Sequence, residues 1–368
     1  MKLKTWIRLV LVLSLAGCSN DDQPQDSNPI VEKGSFVAVG EDLDQVFQYN
    51  YNAVSETGVT FDLTQELGVG VDFLTLEQAG DVLSFYTFSE GRFSLSTKNI
   101  QSAQIRNYPD FYTNTVGRSI TWGVNKDSKA FFGYLGPVGS RNLGILELDL
   151  ENSTEKETTL DFNVNDVFAP LLYENILYVS YVDGLGNYKL TTYDTETGAS
   201  NTIDFQGTPI SLLISDVGDL VIFKGQPQTE LEKYDAKTLI FLERISFNTS
   251  FGFLPGPLED TFLAGDKLFF NLAYPQPSRF VTTPSSYDLI SQEMTSADLF
   301  TIVNKVEEDI GQSLQITTQV YDVSEQVFLL GYGTFDDAIV GGVFQISLEG
   351  ELLDNISLPF FPSYFVRD

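Results

Sequence analysis

The sequence predicts an all-β fold: a seven-bladed β-propeller of four-stranded antiparallel blades, with six or eight blades as the alternatives. Three observations predict it. First, a polar turn residue followed by an apolar triplet recurs at Gly34, Asp81, Ser128, Asn175, Asp219, Asp266 and Glu325. Five of the six intervals are 44 to 47 residues and the last is 59. A fixed period in this range marks one repeated supersecondary unit. Second, the units hold short runs rich in Val, Ile, Thr, Tyr and Phe, separated by Gly, Asn and Asp turns, which is the signature of successive hairpins. Third, each end of the chain holds only part of a unit. A sandwich or barrel is the competing all-β architecture, and the regular spacing argues against it.

The unit around Asn175 shows the plan. Phe168 to Leu172 reads as a first strand and Tyr173-Glu174-Asn175 as a turn. Ile176 to Val182 is aromatic and β-branched, as expected for a strand buried on both faces. Asp183 to Asn187 is a second turn, and Tyr188 to Asp194 alternates apolar and polar residues. Thr195 to Gly198 is a third turn, followed by a fourth strand from Ser200 to Phe205. The next unit repeats this order, with strands at Ile210–Ile214, Leu220–Phe223, Leu231–Asp235 and Phe241–Phe247. A Tyr-Asp pair closes a third strand at Tyr193-Asp194, Tyr234-Asp235 and Tyr287-Asp288.

The unit at Gly34 has strands at Phe36–Val39, Phe47–Tyr51 and Val59–Leu63 but no first strand. The chain finishes with Tyr364-Phe365-Val366-Arg367, one strand without a blade. The two are expected to pair and close the ring, which removes the edges an open sheet would expose. The propeller should then occupy residues 31–368. The long interval carries an insertion at about 274–312. Pro275, Pro277 and Pro284 punctuate its first half. Ser296 to Ile310 reads as a helix, because Leu299, Ile302, Val303 and Val306 fall at helical spacing and Gly311 is a stop.

Residues 1–17 read as an export signal. Lys2, Lys4 and Arg8 precede the apolar run Leu9–Leu15, which is too short to span a bilayer. The run ends at Leu15-Ala16-Gly17-Cys18, which resembles the lipobox of bacterial lipoproteins. That resemblance implies cleavage before Cys18 and lipidation of Cys18, the chain's only cysteine. An ordinary secretory signal with a chance Cys is the alternative. Residues 18–30 lack a hydrophobic pattern and read as a flexible tether. Their acidic start, Asp21-Asp22, is similar to the surface-export signal of some Gram-negative lipoproteins. The expected location is the outer membrane, facing the exterior, with a periplasm-facing leaflet as the alternative.

Composition removes several function classes. The formal net charge is −30, and without residues 1–17 it is about −33. Such a surface repels nucleic acid, and its simplest role is solubility. There is no histidine, so His-ligated zinc, haem-ligating His and His general bases are excluded. No nucleophile elbow, P-loop or cysteine ligand set is present, and neither a metal nor a cofactor is expected. Asp183–Asn187 and Asp216–Asp219 lack the spacing of a calcium loop and read as turns. Among 51 acidic residues, a carboxylate pair for glycoside hydrolysis carries no signal of its own.

Seven of the eighteen basic residues after the signal lie between Arg92 and Arg141. Tyr108, Tyr112 and Trp122 are interleaved with them around Arg118. These four are the candidate ligand-binding residues, since aromatic and cationic groups together suit a planar anion. Local charge balance between two blades, with Trp122 in the core, is the simpler reading and is preferred. Asn107–Tyr112 is expected to link two blades near an end face of the ring.

The lipobox, acidic tether and repeated blades together resemble lipoproteins with propeller domains that accompany TonB-dependent outer-membrane receptors. The resemblance implies a lipid-anchored surface protein that captures a ligand such as a siderophore or nutrient, or docks on a transporter. Its partners would be the membrane, a receptor, and a small-molecule or glycan ligand. A glycan-active propeller enzyme using carboxylates, and a structural or adhesive scaffold, are the alternatives.

Overall fold

The computed structural model describes residues 33–225, 229–334 and 340–367. Cys18, the signal segment and the tether lie outside the described residues. The apolar runs of the repeat become seven antiparallel sheets. Blade 1 holds β1 (Phe36–Glu41), β2 (Val46–Asn52) and β3 (Thr57–Asp62), followed by the short helix α1 (Leu63–Leu67). Blade 2 is β4 (Thr75–Ala79), β5 (Val82–Ser89), β6 (Arg92–Asn99) and β7 (Ile105–Thr113). Blade 3 is β8 (Ser119–Lys126), β9 (Lys129–Leu135), β10 (Leu143–Asp149) and β11 (Glu155–Asp161). Blade 4 is β12 (Val164–Val167), β13 (Leu171–Tyr173), β14 (Ile176–Asp183), β15 (Tyr188–Asp194) and β16 (Ser200–Asp204). Blade 5 is β17 (Ile210–Ile214), β18 (Asp219–Lys224), β19 (Thr229–Asp235) and β20 (Phe241–Phe247), with the two-residue β21 (Gly256–Pro257). Blade 6 is β22 (Phe262–Ala264), β23 (Lys267–Ala273), β24 (Thr282–Asp288) and β25 (Met294–Ser296), followed by helix α2 (Leu299–Ile310). Blade 7 is β26 (Leu314–Asp322), β27 (Val327–Thr334), β28 (Val340–Ile346) and β29 (Leu352–Leu358), and the chain ends in β30 (Phe361–Phe365).

The fold is a seven-bladed propeller, and β30 completes the first blade. It pairs antiparallel with β1, setting Ala38 opposite Phe365 and Val39 opposite Tyr364. The strand starts at Phe361, earlier than the apolar tail suggests. Blade 7 also grips the start of blade 1. The buried Gln345 carboxamide accepts from the Gly34 N–H at 2.7 Å and donates to the Gly34 carbonyl at 2.6 Å. A Cβ at Gly34 would lie 2.6 Å from Cβ of Glu325, so this close approach requires glycine.

The core is divided among the blade interfaces. Seven apolar clusters each bridge two neighbouring blades. The one between blades 7 and 1 joins Leu329 and Val343 to Phe36, Ala38 and Phe365. Burying a side chain of this size contributes roughly 1.5–3 kcal/mol. The second strand of a blade lies between neighbours on both sides, so β14 is buried along nearly its whole length. The outermost β20 is mostly exposed.

Several local expectations are corrected. The first strand of blade 4 is split into β12 and β13, because Pro170 lies in the break and proline cannot donate to the ladder. The third strand read as Val59–Leu63 ends at Asp62, whose carboxylate caps α1 by accepting from the Gln65 N–H. Helix α2 begins at Leu299 rather than Ser296. Ser296 pairs with Ser285 in β25, and Asp298 is the N-cap. Pro284 lies inside β24. Asn107–Tyr112 is not a linker. It belongs to the outer strand β7, where a bulge near Asp110 accommodates Pro109 at the sheet edge.

Candidate functional site

The first strand of blades 2, 3, 4, 6 and 7 lies at the inner edge of its sheet, β30 holds that place in blade 1, and in blade 5 β21 is added beyond β17. Four of these inner strands carry a bulge. Thr121 in β8, Asn165 in β12, Thr317 in β26 and Ser363 in β30 step out of register. A bulge bends its strand and re-aims the extra side chain. A wide cavity, about 1000 Å³, is lined by the early part of β26 and by Ser363 to Phe365, among others. A smaller cavity of about 340 Å³ is lined by residues where inner strands finish, including Val320 to Val323 and Val366. A third, about 110 Å³, is lined by Glu77, Ser84, Asn125, Tyr364 and Arg367, among others.

The segment after blade 5 enters this space. Its β21 pairs in parallel with β17, on the channel side of blade 5. The chain that follows supplies Glu259 and Asp260, both of which line the two larger cavities. The residues just after β30 supply the opposing charge. Arg367 bridges Asp260 at 3.2 Å. Gln78 of β4 locks the strand in place: its Oε1 accepts from the Tyr364 hydroxyl at 2.9 Å and from the Arg367 N–H at 3.0 Å.

This crowding perturbs the acids. Burial, reinforced by the nearby Glu259 carboxylate, pushes the Glu77 carboxyl up to about 7. Burial also pushes Asp260 up, against the opposing pull of Arg367. The Tyr364 phenol rises to about 12, mainly through burial. By contrast, the buried Glu232 is committed to structure. Burial pushes its carboxyl up, but hydrogen bonds from Lys224, Tyr234 and Arg244 outweigh that and hold it below the ordinary range. Among the described residues, no group of three or more acidic or cysteine side chains is arranged to hold a metal ion.

None of the four residues singled out in the sequence lines a channel cavity. Tyr112 is buried between blades 2 and 3, and Tyr108 packs against the same cluster. Arg118 donates to the Tyr112 hydroxyl at 3.1 Å, pairs with Glu157 and lies over the Tyr134 ring. Trp122 is buried in the next interface, between blades 3 and 4. The neighbouring cations are spent likewise, Arg92 on Asp110, Lys98 on Glu66 and Lys129 on Glu147. Sequence reasoning missed Glu77, Gln78, Glu259, Asp260, Gln319 and Arg367. The one available signal was Pro255-Gly256-Pro257, which interrupts the expected step from blade 5 to blade 6.

Fold and channel together define a β-propeller whose polar channel is narrowed by an inserted segment. No family model matches the sequence. No curated protein matches it either. Solved structures do match. A puromycin hydrolase aligns with a TM-score of 0.51 at 13% identity, over 88% of this chain and 54% of that one. A structure from a study of two prolyl endopeptidases aligns with a TM-score of 0.50 at 11% identity, over 79% of this chain and 43% of that one. TolB from Acinetobacter baumannii aligns with a TM-score of 0.42 at 11% identity, over 90% and 82%. This chain thus spans about half the length of the two enzymes. At these identities the likeness shows the fold alone.

Proposed function

We propose that this chain is a lipid-anchored binding propeller of the cell surface. It holds a small ligand in its central channel and docks on an outer-membrane transporter. The observation that carries the reading is the cavity of about 1000 Å³, placed where several blades converge and lined by hydrogen-bonding side chains. Few, convergent sites of this kind are where proteins hold small molecules. The hairpin and inter-blade tips on the face with the wide cavity include exposed Leu43, Val116, Val138, Leu185, Leu254 and Val281. Apolar tips around a polar mouth suit a partner surface. The anchor rests on Leu15 to Cys18 of the sequence alone.

The test is labelling of the full chain with an alkyne-tagged palmitate in a Gram-negative host, followed by recovery in mild detergent. Labelled, membrane-bound protein that brings a receptor with it is the expected result. Cys18→Ser should lose the label and leave the membrane fraction. An unlabelled wild-type chain would refute the anchor, and absence of any receptor would refute docking.

One observation favours a second reading, a glycan-cleaving enzyme. Glu77 is pushed up to about 7 beside Glu259, as a general acid paired with a carboxylate would be. New reducing ends from an oligosaccharide, abolished by Glu77→Gln, would establish it. Their absence would leave the binding reading alone.

A further inference from the structure

We infer that the wide cavity takes a neutral saccharide. This rests on the binding reading above and adds the ligand's chemical class. The cavity wall is dominated by uncharged groups that both donate and accept: Ser313, Gln315, Thr317, Thr318, Gln319 and Ser363. Thr317 and Ser363 are the bulge residues of two adjacent inner strands, β26 and β30. The Thr317 hydroxyl donates to the Pro362 carbonyl and so ties the two bulged strands together, while Ser363 is exposed at the cavity wall.

Gln319 supplies the independent observation. Its side chain lines the cavity and the residue is only 9% exposed. Its Nε2 donates to the Thr282 hydroxyl at 2.5 Å and faces the Thr282 carbonyl at 3.4 Å. A flipped amide would set oxygen against that carbonyl, so the orientation is fixed. Its Oε1 is buried and has no partner. An unmet buried acceptor is costly, and a ligand hydroxyl that donates to it recovers that loss.

Charge decides against the other ligand classes. Both guanidinium groups on the wall are already engaged, Arg279 with Glu307 and Arg367 with Asp260. An anion would have to compete with these carboxylates for the guanidinium groups. Only Glu259 and Asp260 offer charge to a cation, and Asp260 is engaged with Arg367. A sugar can engage these groups without breaking an ion pair, the Gln319 carboxamide shifting to bring its buried Oε1 to the cavity. Its hydroxyls donate to Gln319 and Glu259 and accept from Thr318 and Ser363. The edges of Phe280, Val281 and Phe365 offer apolar contact for the C–H face of a ring. A volume of about 1000 Å³ is at the upper end for small-molecule sites and admits more than one ring.

The test is calorimetric titration of the full chain with trisaccharides of one size and three charges. Maltotriose, cellotriose and mannotriose are the neutral probes, chitosan trimer the cation and galacturonic acid trimer the anion. At least one neutral trisaccharide should saturate, and the charged trimers should bind at least about tenfold more weakly, a difference of about 1.4 kcal/mol. Gln319→Leu should weaken neutral binding about tenfold or more. Ser363→Ala, at an exposed position that the fold tolerates, should weaken it several-fold. Silence of every neutral probe, or neutral binding indifferent to both variants, overturns the saccharide assignment. Saturable binding of a charged trimer alone also overturns it, yet keeps the channel as a binding site. Silence of all probes together with failure to recover a receptor overturns the binding reading as well.

Discussion

Glu77 shows how strongly the channel acts on a single side chain. Its ordinary value is 4.5, and in the folded protein it stands at about 7. Between those values the native state holds the proton more tightly than the unfolded chain. Stability from that proton is present at low pH and is lost as pH rises towards the folded value. Glu77→Gln removes the penalty of the charged form. The variant should therefore be more stable than the parent at pH 8, by on the order of 2 kcal/mol. The gain should vanish at pH 4. Urea denaturation at the two pH values measures this, and an equal gain at both would contradict it. Other residue-scale features were open to reading. The Tyr-Asp recurrence has a plain cause: Asp194, Asp235 and Asp288 each accept from two backbone N–H groups of the turn after a third strand. Asp149 and Asn99 do the same without the preceding tyrosine. Glu77 gave no such sign, because nothing in its neighbours tells that Glu259 will face it across the ring.

At the scale of elements, β21 matters more than its two residues suggest. It is too short to register in any apolar period, yet it carries the segment that delivers Glu259 and Asp260. Its Gly256 has φ of +111°, a region that side chains rarely enter. A Cβ there would also approach Cβ of Phe168 at 3.1 Å. Gly256→Ala should lower stability by about 1–3 kcal/mol. It should also bring the Glu77 titration down, because Glu259 shifts away. Chemical denaturation and a carboxyl-resolved NMR titration measure the two effects. An unchanged Glu77 titration would show that β21 does not position Glu259. Helix α2 was legible because its apolar spacing and Gly311 are local signals. Its start was misplaced by three residues, because Ser296 is held by a partner strand rather than by its own propensity. Similarly, Asn107–Tyr112 reads as a linker from Pro109 alone, and only pairing with β6 makes it a strand.

For the whole molecule, the repeat and its incomplete ends made the ring legible. Each blade needs neighbours to bury its faces, so the apolar period is set by architecture and survives in the sequence. The channel is different. Its wide cavity is lined by the start of β26, by Asn271 and Arg279 to Thr282 of blade 6, by Glu259 and Asp260, and by the C-terminal segment, brought together only by closure. Strand β30 links the two scales: the same segment that completes blade 1 places Ser363, Tyr364 and Arg367 in the channel. Fold and site therefore stand or fall together on this pairing. Glu41 and Phe361 are registered partners across it. Opposed residues in an antiparallel pair have Cα atoms about 4.5–5.5 Å apart, within the span of a disulfide. The decisive measurement is disulfide formation in Glu41→Cys/Phe361→Cys, made in a Cys18→Ser background so that no other thiol competes. Mild oxidation should give near-complete intramolecular crosslinking and a raised melting temperature. Free thiols that persist in the oxidised, folded protein would show that the last strand does not close the ring.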